Sequence, residues 1–142
     1  AVLPTILSRC LCLAVPNPGG AVEDDPVWLR IFAEGSPGRR ETILAESAAY
    51  GALWNFFQGL GSLRPESALG AADRFRALAE GWDGDSARLV MGEMLRCFGL
   101  WMRYQHPERA EHLRQIVTCH RRVLGNANAG IQTDALFVQL LG

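Results

Sequence analysis

A chain of 142 residues has the length of one ordinary domain, able to bury about two-thirds of the surface its unfolded form exposes, and this argues against a second domain. With 49% hydrophobic and 20% charged residues it carries enough apolar side chains to pack a core, which excludes wholesale disorder. The formal net charge of −1 gives no global attraction to nucleic acid or anionic lipid, so either partner would have to be held by a local patch.

The first apolar segment, "PTILSRCLCLAV", places Ile6, Leu7, Cys10, Leu11 and Ala14 on one stripe of a short helix that stops at Pro16. "PNPGGAVEDDP" reads as a loop. Asp25 followed by Pro26 reads as a cap with a proline in the first helical position, and Val27, Trp28, Ile31 and Phe32 then share an apolar face. Gly35 is the expected left-handed stop. "GSPGRR" breaks the chain before a helix from Glu41 to about Gln58, with Ile43, Leu44, Leu53, Trp54 and Phe57 at helical spacing. Ala45, Ala48, Ala49 and Ala52 form a small-residue face that would admit a close neighbour.

Pro65 opens the next helix, with Leu69, Ala72, Phe75, Ala79 and Trp82 aligned. Asp83 or Asp85 is placed to cap the segment 86 to 105, whose seam of Met91, Met94, Leu95, Phe98, Trp101 and Met102 marks it as the centre of the core. After His106-Pro107, residues 108 to 124 resume with Ala110, Leu113, Val117, His120 and Leu124 on one face. "GNANAG" is a loop, and "TDALFVQLL", capped by Thr133 or Asp134, is a final short helix or extended arm. No alternating strand pattern and no repeat occurs. The expected fold is all-α: one compact domain (1–142) of six or seven short-to-medium helices, with an apolar N-terminal arm and linker (1–20), a helical core (21–125) and an apolar C-terminal arm (126–142).

All 14 basic residues are arginine, so lysine is absent, through either a GC-rich genome or selection against amine modification. Four cysteines are too few for a disulfide scaffold, which points to a reducing intracellular compartment or a virion in preference to secretion. No apolar run reaches the ~20 residues a membrane span needs, and the first 15 residues lack the basic leader of a signal peptide.

Residues 97 to 122 hold all three histidines, two cysteines and five arginines, yet the spacing does not make a reactive or metal site. His112 and Cys119 are about 10 Å apart along a helix, too far for one zinc ion. Neither Cys97 with His106 nor Cys119 with His120 has a Gly-rich elbow or oxyanion turn. His106 reads as a helix-boundary residue, His112 as part of a charged face and His120 as a half-buried core residue. No catalytic residue, metal or cofactor is expected. Arg109, Arg114, Arg121 and Arg122 form the one basic stretch able to contact phosphates, with Arg39-Arg40 as a lesser doublet, although Glu108 and Glu111 can balance the first group.

The two apolar ends carry the functional expectation. Ile6, Leu7 and Leu11 at one end and Leu136, Phe137 and Leu140 at the other are joined through flexible connectors and must be buried on something. The sequence therefore suggests a non-enzymatic, self-assembling structural protein, such as a coat, capsid or scaffold subunit, whose partner is itself or another protein, with nucleic acid secondary and no membrane. The competing reading is a helical regulatory adaptor or host-directed effector that holds a partner in a hydrophobic groove.

Overall fold

A computed structural model describes residues 24–83 and 86–142, and every structural element among them is helical. Seven α-helices follow in order: α1 (Val27–Ala33), α2 (Pro37–Ala45), α3 (Ser47–Gln58), α4 (Ala68–Ala77), α5 (Ala87–Gln105), α6 (Ala110–Leu124) and α7 (Ala129–Leu141). The all-α expectation is met. The expected first helix, with Ile6, Leu7 and Leu11, lies outside the described residues. The chain divides into two compact units, with the boundary between Ala45 and Glu46.

In the first unit, α1 and α2 pack on each other. Asp25 does not cap α1. Its carboxylate instead receives a two-pronged hydrogen bond from the Arg40 guanidinium, at 2.8 Å for both Nε and Nη2. α1 ends as Glu34 and Gly35 turn into the left-handed region, with φ of 52° and 76°. "GSPGRR" is not the break that its glycines and proline suggest. Ser36 Oγ accepts the Arg39 N–H and Pro37 opens α2, so Ser-Pro is a helix start. The expected single helix from 41 to 58 is in fact two, interrupted at Glu46, whose φ of −121° and ψ of 36° are not helical.

The second unit contains α3 to α7. Its centre is a set of aromatic rings contributed by four helices: Phe57 of α3 stacks on Phe98 of α5 at 4.6 Å between centroids, while Phe75 of α4 and Phe137 of α7 close around them. Every residue expected in the α5 seam is buried. Ser86 supplies the cap, accepting the Leu89 N–H at 3.2 Å. Asp83 makes no such bond, and Asp85 is not among the described residues. Trp101 Nε1 donates to Gln58 Oε1 at 3.0 Å, so this buried indole is satisfied.

Close approach is made at a different place from the expected alanine face. Ala45, Ala48 and Ala52 are exposed and only Ala49 is buried. α5 and α6 pack on each other, and at Gly92 the missing side chain lets Leu124 settle against the α5 backbone, whereas Gly99 has room for a Cβ. A Cβ on Gly92 would sit 2.6 Å from Leu124 Cδ2, and one on Gly99 would meet Ile116 and Leu113 at 3.7 Å.

Candidate functional site

One expected helix face, on α6, is rotated in the structure, and another, on α4, is met in part. On α6 the buried residues are Ile116, Cys119 and Val123, whereas Ala110, Val117 and Leu124 are exposed. On α4 the buried stripe is Ala68, Ala71, Ala72 and Phe75, and Leu69 points outward. α6 carries two apolar stripes, and Ile116, Cys119 and Val123 are the one turned inward, whereas on α4 Ala72 and Phe75 are buried as expected and only Leu69 is turned out. Leu89, Leu124 and Val117 consequently share an outward face of the α5–α6 pair. Leu89 lies one turn before Gly92, Leu124 packs over Gly92, and Val117 is two turns back along α6.

The C-terminal segment is not a swinging arm. α7 begins at Ala129, capped by Asn128 Oδ1 accepting the Ile131 N–H at 2.9 Å, so Thr133 and Asp134 are not caps. Both belong to a clamp built on Arg76 of α4. Its Nη1 donates to Gly130 O at 3.2 Å, Thr133 Oγ1 at 2.6 Å and Asp134 Oδ1 at 2.8 Å, and its Nη2 pairs with Asp73. Leu136 and Phe137 are 2% and 0% exposed, with the Phe137 ring against Phe75 and Phe98, and Leu140 is half-buried. Leu136 and Phe137 fill the core of their own unit and present no surface to a neighbour, while Leu140 keeps part of its surface outside. The outward stripe of α7 is Ile131, Ala135 and Val138, at i, i+4 and i+7, with Ile131 65% and Val138 49% exposed.

The four candidate arginines do not form one surface. Glu111 holds Arg114 through Nε at 3.1 Å and Nη2 at 2.6 Å, and Arg109 Nε is 3.7 Å from Glu108. Arg121 and Arg122 make no ion pair among the described residues, but successive helix positions send them to different faces. Arg122, with Arg114, lines a cleft of about 340 Å³ between α6 and α7. Arg39 and Arg40 are paired with Glu34 and Asp25.

The histidines sit in three environments. His106 ends α5 as the boundary residue, its ring edge-on to Trp101 at 5.5 Å and Nδ1 3.5 Å from Glu108. His112 is half-buried beside Leu140 and Leu141 at a small cavity of about 50 Å³, with Nδ1 buried and without a partner, so it does not lie on the charged face. His120 is half-buried as expected. Desolvation, helped by the Arg96 guanidinium, holds its pKa below the ordinary histidine value against the opposing pull of Glu93.

Glu93 and Arg96 form a polar group on α5 that the hydrophobic periodicity gave no reason to single out. Arg96 Nε and Nη2 grip the Glu93 carboxylate at 2.8 and 2.7 Å, and Tyr50 of α3 donates its hydroxyl to Glu93 Oε2 at 2.7 Å. Burial and the Glu93 carboxylate push the Tyr50 phenol far up, so it stays a donor. The signal for this pair was present as Glu and Arg at i, i+3 in an apolar helix.

Cys97 and Cys119 are buried thiols, and burial pushes Cys119 up to about 11, which leaves it protonated at neutral pH and a poor nucleophile. Among the described residues no three histidine, cysteine or acidic side chains gather as metal ligands. No helix among them is long and apolar enough to cross a membrane. Comparison with protein-family models, with curated proteins and with solved structures finds no match to this chain.

Proposed function

We propose that this chain is a non-catalytic, self-associating structural protein whose subunit contacts are made by outward helix faces. The observation that carries the reading is the presence of exposed large apolar side chains on several helices of the second unit, among them Ile131 and Val138 on α7 and Leu89, Val117 and Leu124 on the α5–α6 pair, with Leu69 on α4 and Tyr104 on α5 exposed as well. α7 is held from behind by the Arg76 clamp and the aromatic core, so its outer stripe is presented on a rigid support. Ala135 between the two large residues lets a neighbouring helix come close.

Magnitudes set the character of the contact. Full burial of one such side chain stabilises by ~1.5–3 kcal/mol, and these are already about half covered, so five contribute about 5 kcal/mol. That is near the lower bound of the ~4–15 kcal/mol cost of association. The contact is accordingly weak and concentration-dependent, and Ile6, Leu7 and Leu11 of the N-terminal segment would add to it. Two distinct faces also allow head-to-tail association, which builds rings or filaments where a single self-complementary face would stop at a dimer.

Native mass measured by light scattering over a range of protein concentrations tests the reading. Mass above the 15.6 kDa of one chain, rising with concentration and returned to one chain by Ile131→Asp, is expected. A constant single-chain mass in the unaltered protein would overturn it.

A further inference from the structure

Charge separates α7 from the other helices that expose large apolar side chains. Val117 and Leu124 lie within one turn of Arg121, Leu89 is next to Arg88, Tyr104 is next to Arg103, and Leu69 sits among Glu66, Asp73 and Arg74. A second copy laid face to face on any of these would bring like charges together, which costs affinity. From Ile131 to Leu141 the exposed positions are Ile131, Ala135, Val138 and Gln139, none of them charged. The one ionisable residue of α7, Asp134, is drawn back onto Arg76 at 2.8 Å. Gln132 and Gln139 line the cleft that Gln115 and Arg122 line from the α6 side. The face of α7 can therefore meet a copy of itself without electrostatic penalty.

Its shape is also self-complementary. Ile131 stands four residues before Ala135 and Val138 three residues after it, so the stripe reads large, small, large in either direction. Turned end over end about Ala135, it sets Val138 against Ile131 and Ile131 against Val138. Alanine then meets alanine where the helix axes cross, which lets them approach to the low end of ~8–10 Å. Antiparallel pairing also places the positive end of each helix dipole beside the negative end of the other.

We infer that two copies of this chain pair through α7, antiparallel and two-fold about Ala135. The inference rests on the self-association proposed above and narrows it to one face and one partner. A 13-residue helix offers a face of about 20 Å by 10 Å, well below the ~800 Å² that each partner gives to a stable interface, so the pair forms at high protein concentration. Such a contact is closed, and any larger assembly has to be built on another face.

Charge at the axis decides it. Ala135 is exposed, so Ala135→Glu and Ala135→Arg leave the fold intact, and their native masses are compared, alone and mixed in equal amounts, with that of the unaltered protein. Each variant alone meets its own charge and is expected to stay at 15.6 kDa where the unaltered chain is larger. The mixture is expected to regain the larger mass, associating at least about tenfold more tightly than either variant alone. Disulfide cross-linking in a chain with Cys10→Ser and Cys12→Ser reads the direction. Ile131→Cys mixed with Val138→Cys should link, whereas Ile131→Cys alone should not, its two copies being about 12 Å apart along the axis. An unaltered chain that keeps single-chain mass at every concentration overturns this inference together with the reading it rests on. Association that survives in either charged variant, a charged mixture that stays apart, Ile131→Cys that links to itself, or no link between Ile131→Cys and Val138→Cys overturns the α7 pairing alone.

Discussion

α5 and α6 are neighbours in one hairpin, and their sequences determine burial in opposite ways. α5 has a single stripe of methionine and aromatic residues, every member of which is inside, and its reverse face carries the Glu93–Arg96 pair. α6 has two apolar stripes, Ala110-Leu113-Val117-Leu124 and Ile116-Cys119-Val123, and the second is the one buried. A helix with one bulky stripe specifies its own orientation. A helix with two takes its orientation from its neighbours, and the exposed members of the stripe it leaves outside, Val117 above all, become surface available to other protein.

The sharpest way to break this comparison is at the aromatic centre. Phe98→Ala should destabilise by ~3–5 kcal/mol, since the ring is fully buried and touches four others, and a denaturant midpoint shift worth less than 1 kcal/mol would show the core to lie elsewhere. On α6, adjacent residues should differ: Ile116→Ala is expected to cost ~2–4 kcal/mol and Val117→Ala no more than ~0.5 kcal/mol. Equal losses would mean that both stripes are buried.

A smaller effect is expected at the clamp. Arg76→Ala leaves Thr133 and Asp134 without their shared donor, and because the arginine is partly exposed the loss should be about 1–2 kcal/mol, read as a lowered midpoint with the amides at the start of α7 exchanging faster.

The least of these effects is a pH dependence from His120. Its folded pKa is lowered, so the unfolded chain takes up the proton first as pH falls. Its contribution to stability is therefore complete above the ordinary histidine value of ~6.5 and is lost as pH drops through that value toward the folded one. His120→Gln should lose less stability than the unaltered protein between pH 7.5 and 5.5; identical slopes would show that His120 takes no part.

The all-α class and the whole α5 seam were legible because one-sided periodicity in Met91, Met94, Leu95, Phe98, Trp101 and Met102 leaves a single way to bury them. The outward faces were not, because Leu136 and Phe137 read the same as Ile131 and Val138 until the position of α4 decides which side of α7 is inside. Arg76 was invisible for a related reason: its three acceptors lie 54 to 58 residues away in the chain. The cleft residues Gln115, Gln132 and Gln139 have no local pattern that sets them apart from ordinary solvated positions, and only the packing of α6 on α7 brings them together. Of the basic stretch, the carboxylates four or fewer residues away explained Arg109 and Arg114, while nothing local distinguished Arg121 from Arg122.

α7 has one face committed to its own core, and we propose that its outward face, with Ile131 and Val138, meets other copies. Native mass of two variants at adjacent positions, Phe137→Asp and Val138→Asp, tests it most directly. A charge at 137 is buried among aromatic rings and should prevent folding, giving no defined native species. A charge at 138 should give a folded single chain of 15.6 kDa under conditions where the unaltered protein is larger. A Val138→Asp protein that keeps the higher mass, or one that fails to fold as Phe137→Asp does, would contradict the account.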